Sequence, residues 1–221
     1  EINITTVEDP VEYQIPGINQ VQMHDKIGLN FSASLRSILR QDPDVLLIGE
    51  IRDSETADIA VKFSLTGHLV FTTVHANDAP STITRLLDLG IAPFLLGSSL
   101  NLIMAQRLVR TIDENEKEEY KPTKNEIDRI GLSNTNNMQF FRGKKVSSNH
   151  NTGYKGRTAI HEILEVTTDM RKLIYEEASQ IDVRNQSIKN GMTPLRDAGI
   201  EKIKTGETTI EEVLRATVED N

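Results

Sequence analysis

The apolar positions of the chain fall into two alternating patterns. Residues 2–8, Ile-Asn-Ile-Thr-Thr-Val-Glu, are rich in β-branched side chains and stop at Asp9-Pro10, which reads as a strand ending in acids. Residues 44–53, Asp-Val-Leu-Leu-Ile-Gly-Glu-Ile-Arg-Asp, carry four consecutive aliphatic residues, then Gly, then an acid. Such a run predicts a strand buried on both faces that ends in the Glu50 carboxylate. Residues 69–75, Leu-Val-Phe-Thr-Thr-Val-His, predict a third strand, ending in His75. Between these runs the period changes to that of a helix. Phe31, Leu35, Ile38 and Leu39 form one stripe over about Ser32 to Gln41, ended by Pro43. Ala57, Ala60, Val61, Ser64 and Leu65 mark the buried face of a second helix, capped by Asp53 or Ser54 and ended by Gly67. Asn77 or Asp78 caps a helix through Leu89, and Pro93 opens another from Phe94 to about Leu108. Residues 11–28 are polar and broken by Pro16, Gly17 and Gly28, as in a long loop or a short hairpin. The alternation of strand and helix over residues 1 to about 105 predicts an α/β fold with a right-handed, mostly parallel sheet and flanking helices.

Beyond that point the pattern changes. Residues 113–128 are dense in charge and residues 131–151 are dominated by Asn, Ser, Gly and Lys, which predicts an exposed, partly mobile insert. Thr158 to Val166 alternate as a strand, and helices are expected near 169–177, 180–190, 194–204 and 209–218. Thr193-Pro194, and Thr209 with Glu212, supply helix starts. The expected organisation is an α/β core over 1–110, a polar insert over 111–157, and a C-terminal strand with a helical subdomain over 158–221.

The totals narrow the classes. With 221 residues the chain accommodates one large domain or two modest ones. A hydrophobic fraction of 37% with 26% charged residues is ordinary for a soluble protein, and no run approaches the roughly 18 apolar residues of a membrane span. Glu1-Ile2-Asn3 leads into strand-like sequence without a secretory signal pattern. With zero cysteines there are neither disulfides nor thiolate metal sites, which fits a cytoplasmic chain. A net charge of −8 argues against nucleic acid as a partner and toward proteins or a locally neutralised nucleotide.

The candidate chemistry gathers at strand ends. In parallel α/β sheets ligands bind outside the carboxyl ends of the strands, so Glu8 with Asp9, Glu50 and His75 would share one rim. A carboxylate at the position of Glu50 suits a Mg²⁺-bound or attacking water. The bland alternatives are that Glu50 pairs with Arg52, that Glu8 and Asp9 sit in a solvated turn, and that His75 and His68 are structural. Arg36 and Arg40 are one turn apart, off the apolar stripe. They could clamp phosphate oxygens, or simply form a solvated helix face.

The ordered motifs resemble those of a known family. Residues 6–13 (Thr-Val-Glu-Asp-Pro-Val-Glu-Tyr) look like the Asp box, 40–53 like the Walker B segment, and 66–78, from Thr-Gly-His to His-Ala-Asn-Asp, like the His box of the type II secretion and type IV pilus assembly motors. Residues 105–110 (Ala-Gln-Arg-Leu-Val-Arg) and 152–157 (Thr-Gly-Tyr-Lys-Gly-Arg) also match. The likeness covers nearly the whole chain and is nearer to the assembly and secretion branch than to the pilus-retraction branch. It implies a RecA-like ATPase working as a homo-hexamer with ATP and Mg²⁺, cytoplasmic and peripheral at the inner face of the cell membrane. Its implied partners are inner-membrane platform proteins, and its implied output is the assembly of pilin-like subunits. By the same resemblance Glu8 orients or deprotonates the attacking water, Glu50 acts through Mg²⁺, and His75 with His68 contacts the γ-phosphate. Arg36 and Arg40 correspond to the basic pair near the phosphates or across a subunit boundary, and Asp9 lies beside the nucleotide.

The chain departs from the family pattern in two places. No Gly-x-x-x-x-Gly-Lys-[Ser/Thr] occurs in the sequence, so the chain is expected to start after the phosphate loop and to be inactive alone. Many relatives hold zinc with two Cys-x-x-Cys pairs, whereas the corresponding positions here are Asp113, Glu116, Val146 and Asn149, an unsuitable donor set. No zinc is therefore expected, and the insert must hold by packing or stay loose. Two other classes compete with a motor ATPase: a non-catalytic module docking on a ring or membrane partner, and a DNA-handling RecA relative, which the acidic balance disfavours.

Overall fold

The computed structural model describes residues 2–133, 135 and 138–217. The chain forms two compact units that interleave along the sequence. One comprises residues 1–76, 80–102 and 166–186, the other 77–79, 103–165 and 187–221. The serial division expected at 110 and 157 is thus not the grouping the contacts make, because the chain crosses between the units more than once.

The first unit is built on a four-stranded parallel sheet in the order β2-β1-β3-β4. Its strands are β1 (Ile4–Glu8), β2 (Asn19–Gln22), β3 (Val45–Ile48) and β4 (Leu69–Thr72). The expected loop or hairpin over 11–28 therefore contains a parallel edge strand. All but one of its residues are Asn or Gln, so no apolar period announced it. Helix α1 (Phe31–Ile38) is capped by Asn30, whose side chain accepts from the Ala33 N–H at 2.9 Å. Helix α2 (Ser54–Leu65) is capped by Asp53, which accepts from Thr56 N–H at 2.8 Å. Each such cap contributes about 1 kcal/mol. Val7, Leu46, Ile48, Leu35 and Ala57 are fully buried, so the sheet and the two helices share one core. Burial of each large aliphatic is worth about 1.5–3 kcal/mol. Helices α3 (Ala79–Asp88), α4 (Pro93–Ser99), α6 (Thr168–Tyr175) and most of α7 (Gln180–Lys189) complete this unit. Close packing of α4 on α6 depends on Gly97, where a Cβ would come within 2.5 Å of the Tyr175 ring.

The helix expected from Phe94 to Leu108 stops at Ser99, and Leu102–Ile112 form the long strand β5. Ile103 and Val109 point inward while Leu102, Met104, Gln106 and Leu108 are exposed. This period of two overrides the helix propensity of Leu, Met and Ala.

The second unit pairs β5 with β8 (Tyr154–Glu165), around which Val109, Ile160 and Leu195 cluster. Its other elements are β6 (Lys117–Glu119), antiparallel to β7 (Phe141–Gly143), and helices α5 (Lys124–Ile130), α8 (Leu195–Lys204) and α9 (Ile210–Ala216). The four C-terminal helices lie close to their expected spans; residue 218, the expected end of the last, is outside the described residues. The insert is anchored rather than loose, since Ile130 and Phe140 share a core with Ile200, Ile203, Ile210 and Val213.

The positions that the resemblance aligns with metal ligands are held together here by hydrogen bonds. Asn149 is 2% exposed; its amide donates to Asp113 Oδ2 at 3.3 Å and the Lys144 carbonyl at 2.8 Å, and accepts from Val146 and Gly153 N–H at 3.1 and 3.2 Å. Beside it the backbones of Gly143 and Gly153 touch: a Cβ on Gly143 would lie 1.8 Å from the Gly153 oxygen. This contact explains why the Gly153-Tyr154 turn admits no side chain. Asn149→Ala is expected to destabilise the chain by about 2–4 kcal/mol, because it strands several buried partners. Thermal denaturation checks this; a loss below about 1 kcal/mol would show the knot to be dispensable.

Candidate active site

The register of the parallel sheet sets the site. Val7 is level with Ile48, and Ile48 with Thr72, so the next residues, Glu8, Gly49 and Thr73, emerge together at the carboxyl edge. The chain there is drawn tight: Gly49 N–H donates to the Val7 carbonyl at 2.7 Å, Ile51 N–H to the Thr73 carbonyl at 3.0 Å, and the Thr73 hydroxyl to the Gly49 carbonyl at 2.6 Å. A depression of about 310 Å³ opens beside these residues, lined by Glu8, Asp9, Glu12, Phe31, Gly49 and Glu50 among others.

Glu8 is half-buried and fixed by two donors on one oxygen, the Thr6 hydroxyl at 2.5 Å and the Gln20 amide at 3.0 Å. Glu50, with a side chain 14% exposed, accepts from Arg52 on one oxygen and from His75 Nε2 at 2.8 Å on the other. The Arg52 guanidinium holds the Glu50 carboxyl below the usual carboxylate range; burial opposes this and His75 adds to it. Glu50 therefore keeps its negative charge at neutral pH.

The structure brings Glu8, Asp9, Glu50 and His75 to one rim. The other anticipated residues lie elsewhere in the same unit. Arg36, on α1, is ion-paired with Glu55 of α2. Arg40 follows α1 next to Gln41, whose carbonyl accepts from Asn3 ahead of β1, and so it lies toward the amino ends of the strands. His68 immediately precedes β4, stacked on Phe63 at 3.9 Å and hydrogen-bonded to Thr66, so a strand length of roughly 20 Å separates it from His75.

Sequence reasoning missed Thr6, Gln20, Thr73 and Phe31. Thr6 had a signal, because residue i−2 of a strand shares a face with Glu8. Gln20 had none, being supplied by the unforeseen β2. Arg52, weighed only as the bland partner of Glu50, does pair with it, and His75 pairs as well.

Gly49 leaves no room for a side chain, since a Cβ there would meet the Val7 oxygen at 3.1 Å and Glu8 Cα at 3.4 Å. Gly49→Ala is expected to cost about 1–3 kcal/mol and to push Glu8 away from Glu50. Thermal denaturation and a structure of the variant check this, and an unshifted Glu8 would contradict it.

The first unit is a parallel α/β sheet with acids and a histidine at one carboxyl edge, and the likeness to a solved motor structure makes the fold RecA-like. The crystal structure of the pilus retraction motor PilT with bound ADP matches with a TM-score of 0.71 at 27% identity, over 100% of this chain and 54% of that one. A family model described as Type II/IV secretion system protein matches residues 1–215, and the chain belongs to that family. It is 48% identical over 226 residues to the type IV pilus assembly ATPase PilB of Myxococcus xanthus (strain DK1622), covering 100% of this chain and 39% of the relative. Type II secretion system protein E of Xanthomonas campestris pv. campestris is 47% identical over 219 residues, covering 98% and 39%. The chain thus spans about two fifths of the length of these two curated relatives.

Proposed function

We propose that this chain is the hydrolytic part of a hexameric motor ATPase that drives assembly of pilin or pseudopilin subunits, in pilus biogenesis or type II secretion. The observation that carries the reading is the Glu50–His75 hydrogen bond of 2.8 Å at the edge of a depression that Glu8 also lines. A loose phosphoryl transition state needs an oriented water, a metal and positive charge on the γ-phosphate oxygens. Glu8, immobilised by Thr6 and Gln20, is placed to orient and deprotonate the water. His75, anchored by Glu50, would face the γ-phosphate. Asp9, Arg36, Arg40 and His68 would meet nucleotide from this chain or across a subunit boundary, the latter suiting those away from the rim.

The residues at hand fit Mg²⁺. The rim supplies the carboxylate oxygens of Glu8, Asp9 and Glu50, hard donors of the kind Mg²⁺ takes one or two at a time alongside phosphates and waters. Glu50 would hold such an ion through water; bound there, it would neutralise charge on the transferring phosphate. Among the described residues no helix is long and apolar enough to cross a membrane. The proposed location is cytoplasmic, on the inner membrane face, docked on platform proteins, without zinc or nucleic acid.

The experiment compares the full-length gene product with the 221-residue chain. The full product is expected to hydrolyse ATP only with Mg²⁺ and to assemble into hexamers, and the chain alone to show no turnover. Absence of Mg²⁺-dependent turnover in the full product would overturn the reading.

A further inference from the structure

Glu8 is steered from the loop that precedes β2. Thr6 on β1 stands level with Gln20 on β2 in the parallel register, and Glu8 lies two residues farther along the same face of β1. Both neighbours therefore reach one carboxylate, and both reach the same oxygen. The Thr6 hydroxyl donates to Glu8 Oε1 at 2.5 Å, and Gln20 Nε2 donates to it at 3.0 Å. Among the described residues no hydrogen bond reaches Oε2, and Glu8 lines the depression at the carboxyl edge.

Gln20 makes two further bonds, both to the backbone of the loop. Its Nε2 donates to the Tyr13 carbonyl at 3.0 Å, and its Oε1 accepts from the Ile15 N–H at 2.7 Å. These two bonds decide which way the amide faces. The Ile15 N–H can meet only the amide oxygen and the Tyr13 carbonyl only the NH₂ group, whose second hydrogen is then left for Glu8. Turned over, the amide would set its oxygen against a carboxylate and its NH₂ group against an N–H, and all three bonds would be lost. Tyr13 and Ile15 are 81% and 51% exposed, so little apolar burial places this segment and its backbone bonds to Gln20 carry the task.

We propose that Gln20 and Thr6 are positioning residues for the hydrolytic reaction: they turn Glu8 so that Oε2 is the oxygen that works on the water, and the Tyr13–Ile15 segment governs this through the Gln20 amide. In the step they serve, Oε2 takes a proton from the water as the water oxygen bonds to the γ-phosphorus. The bond from that phosphorus to the bridging oxygen breaks, and its electron pair leaves on ADP. Misplacement of a reacting group by 1 Å can cost about 10²-fold, so the hold on Glu8 bears directly on rate. The inference rests on the reading of Glu8 given under the proposed function. It adds the identity of the working oxygen and gives the loop control over it.

The test uses Mg²⁺-ATP turnover by the full-length gene product. Thr6→Val keeps the shape and removes the hydroxyl, whereas Thr6→Ser retains it. Gln20→Met keeps the length and removes the amide. Ile15→Pro removes the N–H that orients the amide. Thr6→Val, Gln20→Met and Ile15→Pro are each expected to lower kcat about tenfold with the KM for ATP within about twofold, and Thr6→Ser to stay within about twofold of wild type. Added to Glu8→Gln, each of the three is expected to lower the residual turnover by less than about twofold, because its effect passes through Glu8. A merely structural role would lower both backgrounds alike. Gln20 lies on the edge strand, so Gln20→Met covers the case in which a change at the buried Thr6 fails to fold. Wild-type kcat in Gln20→Met, or losses that multiply with Glu8→Gln, would overturn the positioning while leaving the motor reading in place. Wild-type kcat in Ile15→Pro would overturn the control by the loop. Wild-type turnover in Glu8→Gln would overturn the reading of Glu8 itself, and the positioning with it.

Discussion

Glu50→Gln in the full-length gene product is expected to lower ATP turnover by about 10²–10³-fold while leaving ATP affinity within a few-fold. The carboxylate accepts from Arg52 on one oxygen and from His75 on the other, so both oxygens are engaged while each keeps a second lone pair for a metal-bound water. An amide of the same shape presents an acceptor to one partner and an NH₂ group to the other. The substitution therefore removes the charge that would hold a metal-bound water and releases the histidine proposed to face the γ-phosphate. The rest of the rim, including Glu8 with its Thr6 and Gln20 donors, is untouched, so binding should survive where turnover does not. Turnover rates together with equilibrium nucleotide binding check this. A kcat within about threefold of wild type would remove Glu50 from the chemistry.

The largest effect on stability is expected at Glu212 in the second unit. Its side chain is fully buried and accepts from Arg110 Nη2 at 2.6 Å, from Arg110 N–H at 2.9 Å, and from Arg215 Nε and Nη2 at 3.0 and 2.7 Å. Burial pushes its carboxyl up, but the two guanidiniums and the backbone N–H outweigh it and bring the pKa down to about 2. Arg110 also stacks on Tyr154 at 4.2 Å, and its Nε is buried without a partner. Glu212→Ala would leave two like-charged guanidiniums close together without the carboxylate that both bind, with Glu211 only a more distant counter-charge to Arg110. The expected cost is about 3–5 kcal/mol, or a midpoint lowered by roughly 6–20 °C.

The depressed pKa also fixes a pH signature. A carboxyl that titrates lower when folded contributes stability above its unfolded pKa and loses it as pH falls through the folded one. Wild type should thus lose on the order of 3 kcal/mol between pH 4.5 and pH 2 through this group, and Glu212→Gln should lack that part of the acid transition. Urea unfolding at several pH values checks both statements. A Glu212→Ala variant within about 1 kcal/mol of wild type would contradict them.

The residues explain which parts of this architecture were legible in the sequence. Strands β1, β3 and β4 announced themselves because β-branched or aliphatic runs are interrupted by Pro10 and Gly49 and end in Glu8, Glu50 and His75, and the helices because their stripes begin at Asp53, Thr209 or Pro93. Strand β2 escaped because Asn19, Gln20 and Gln22 pair through their backbones and carry no apolar signal. The stretch Leu102–Leu108 was read as helix because Leu, Met, Ala and Arg favour helices, and only the pairing with β8 reveals the period of two. The rim acids and histidine were visible because they close or closely follow strand-like runs: Glu8 ends β1, whereas Glu50 and His75 stand just beyond the ends of β3 at Ile48 and β4 at Thr72. The amide that orients Glu8 was not, since Gln20 arrives from an unannounced strand. Thr209 with Glu212 looked like a capping pair. The Thr209 hydroxyl does accept from the Glu212 N–H, but the Glu212 carboxylate is taken by arginines, a partnership no local pattern contains.

The most direct test is a structure of the full-length gene product with a non-hydrolysable ATP analogue and Mg²⁺. The γ-phosphate is expected against the rim, with Glu8 and His75 within about 5 Å of it and Glu50 joined to the ion through water. A triphosphate bound elsewhere, with Glu8, Glu50 and His75 all remote from it, would contradict the account.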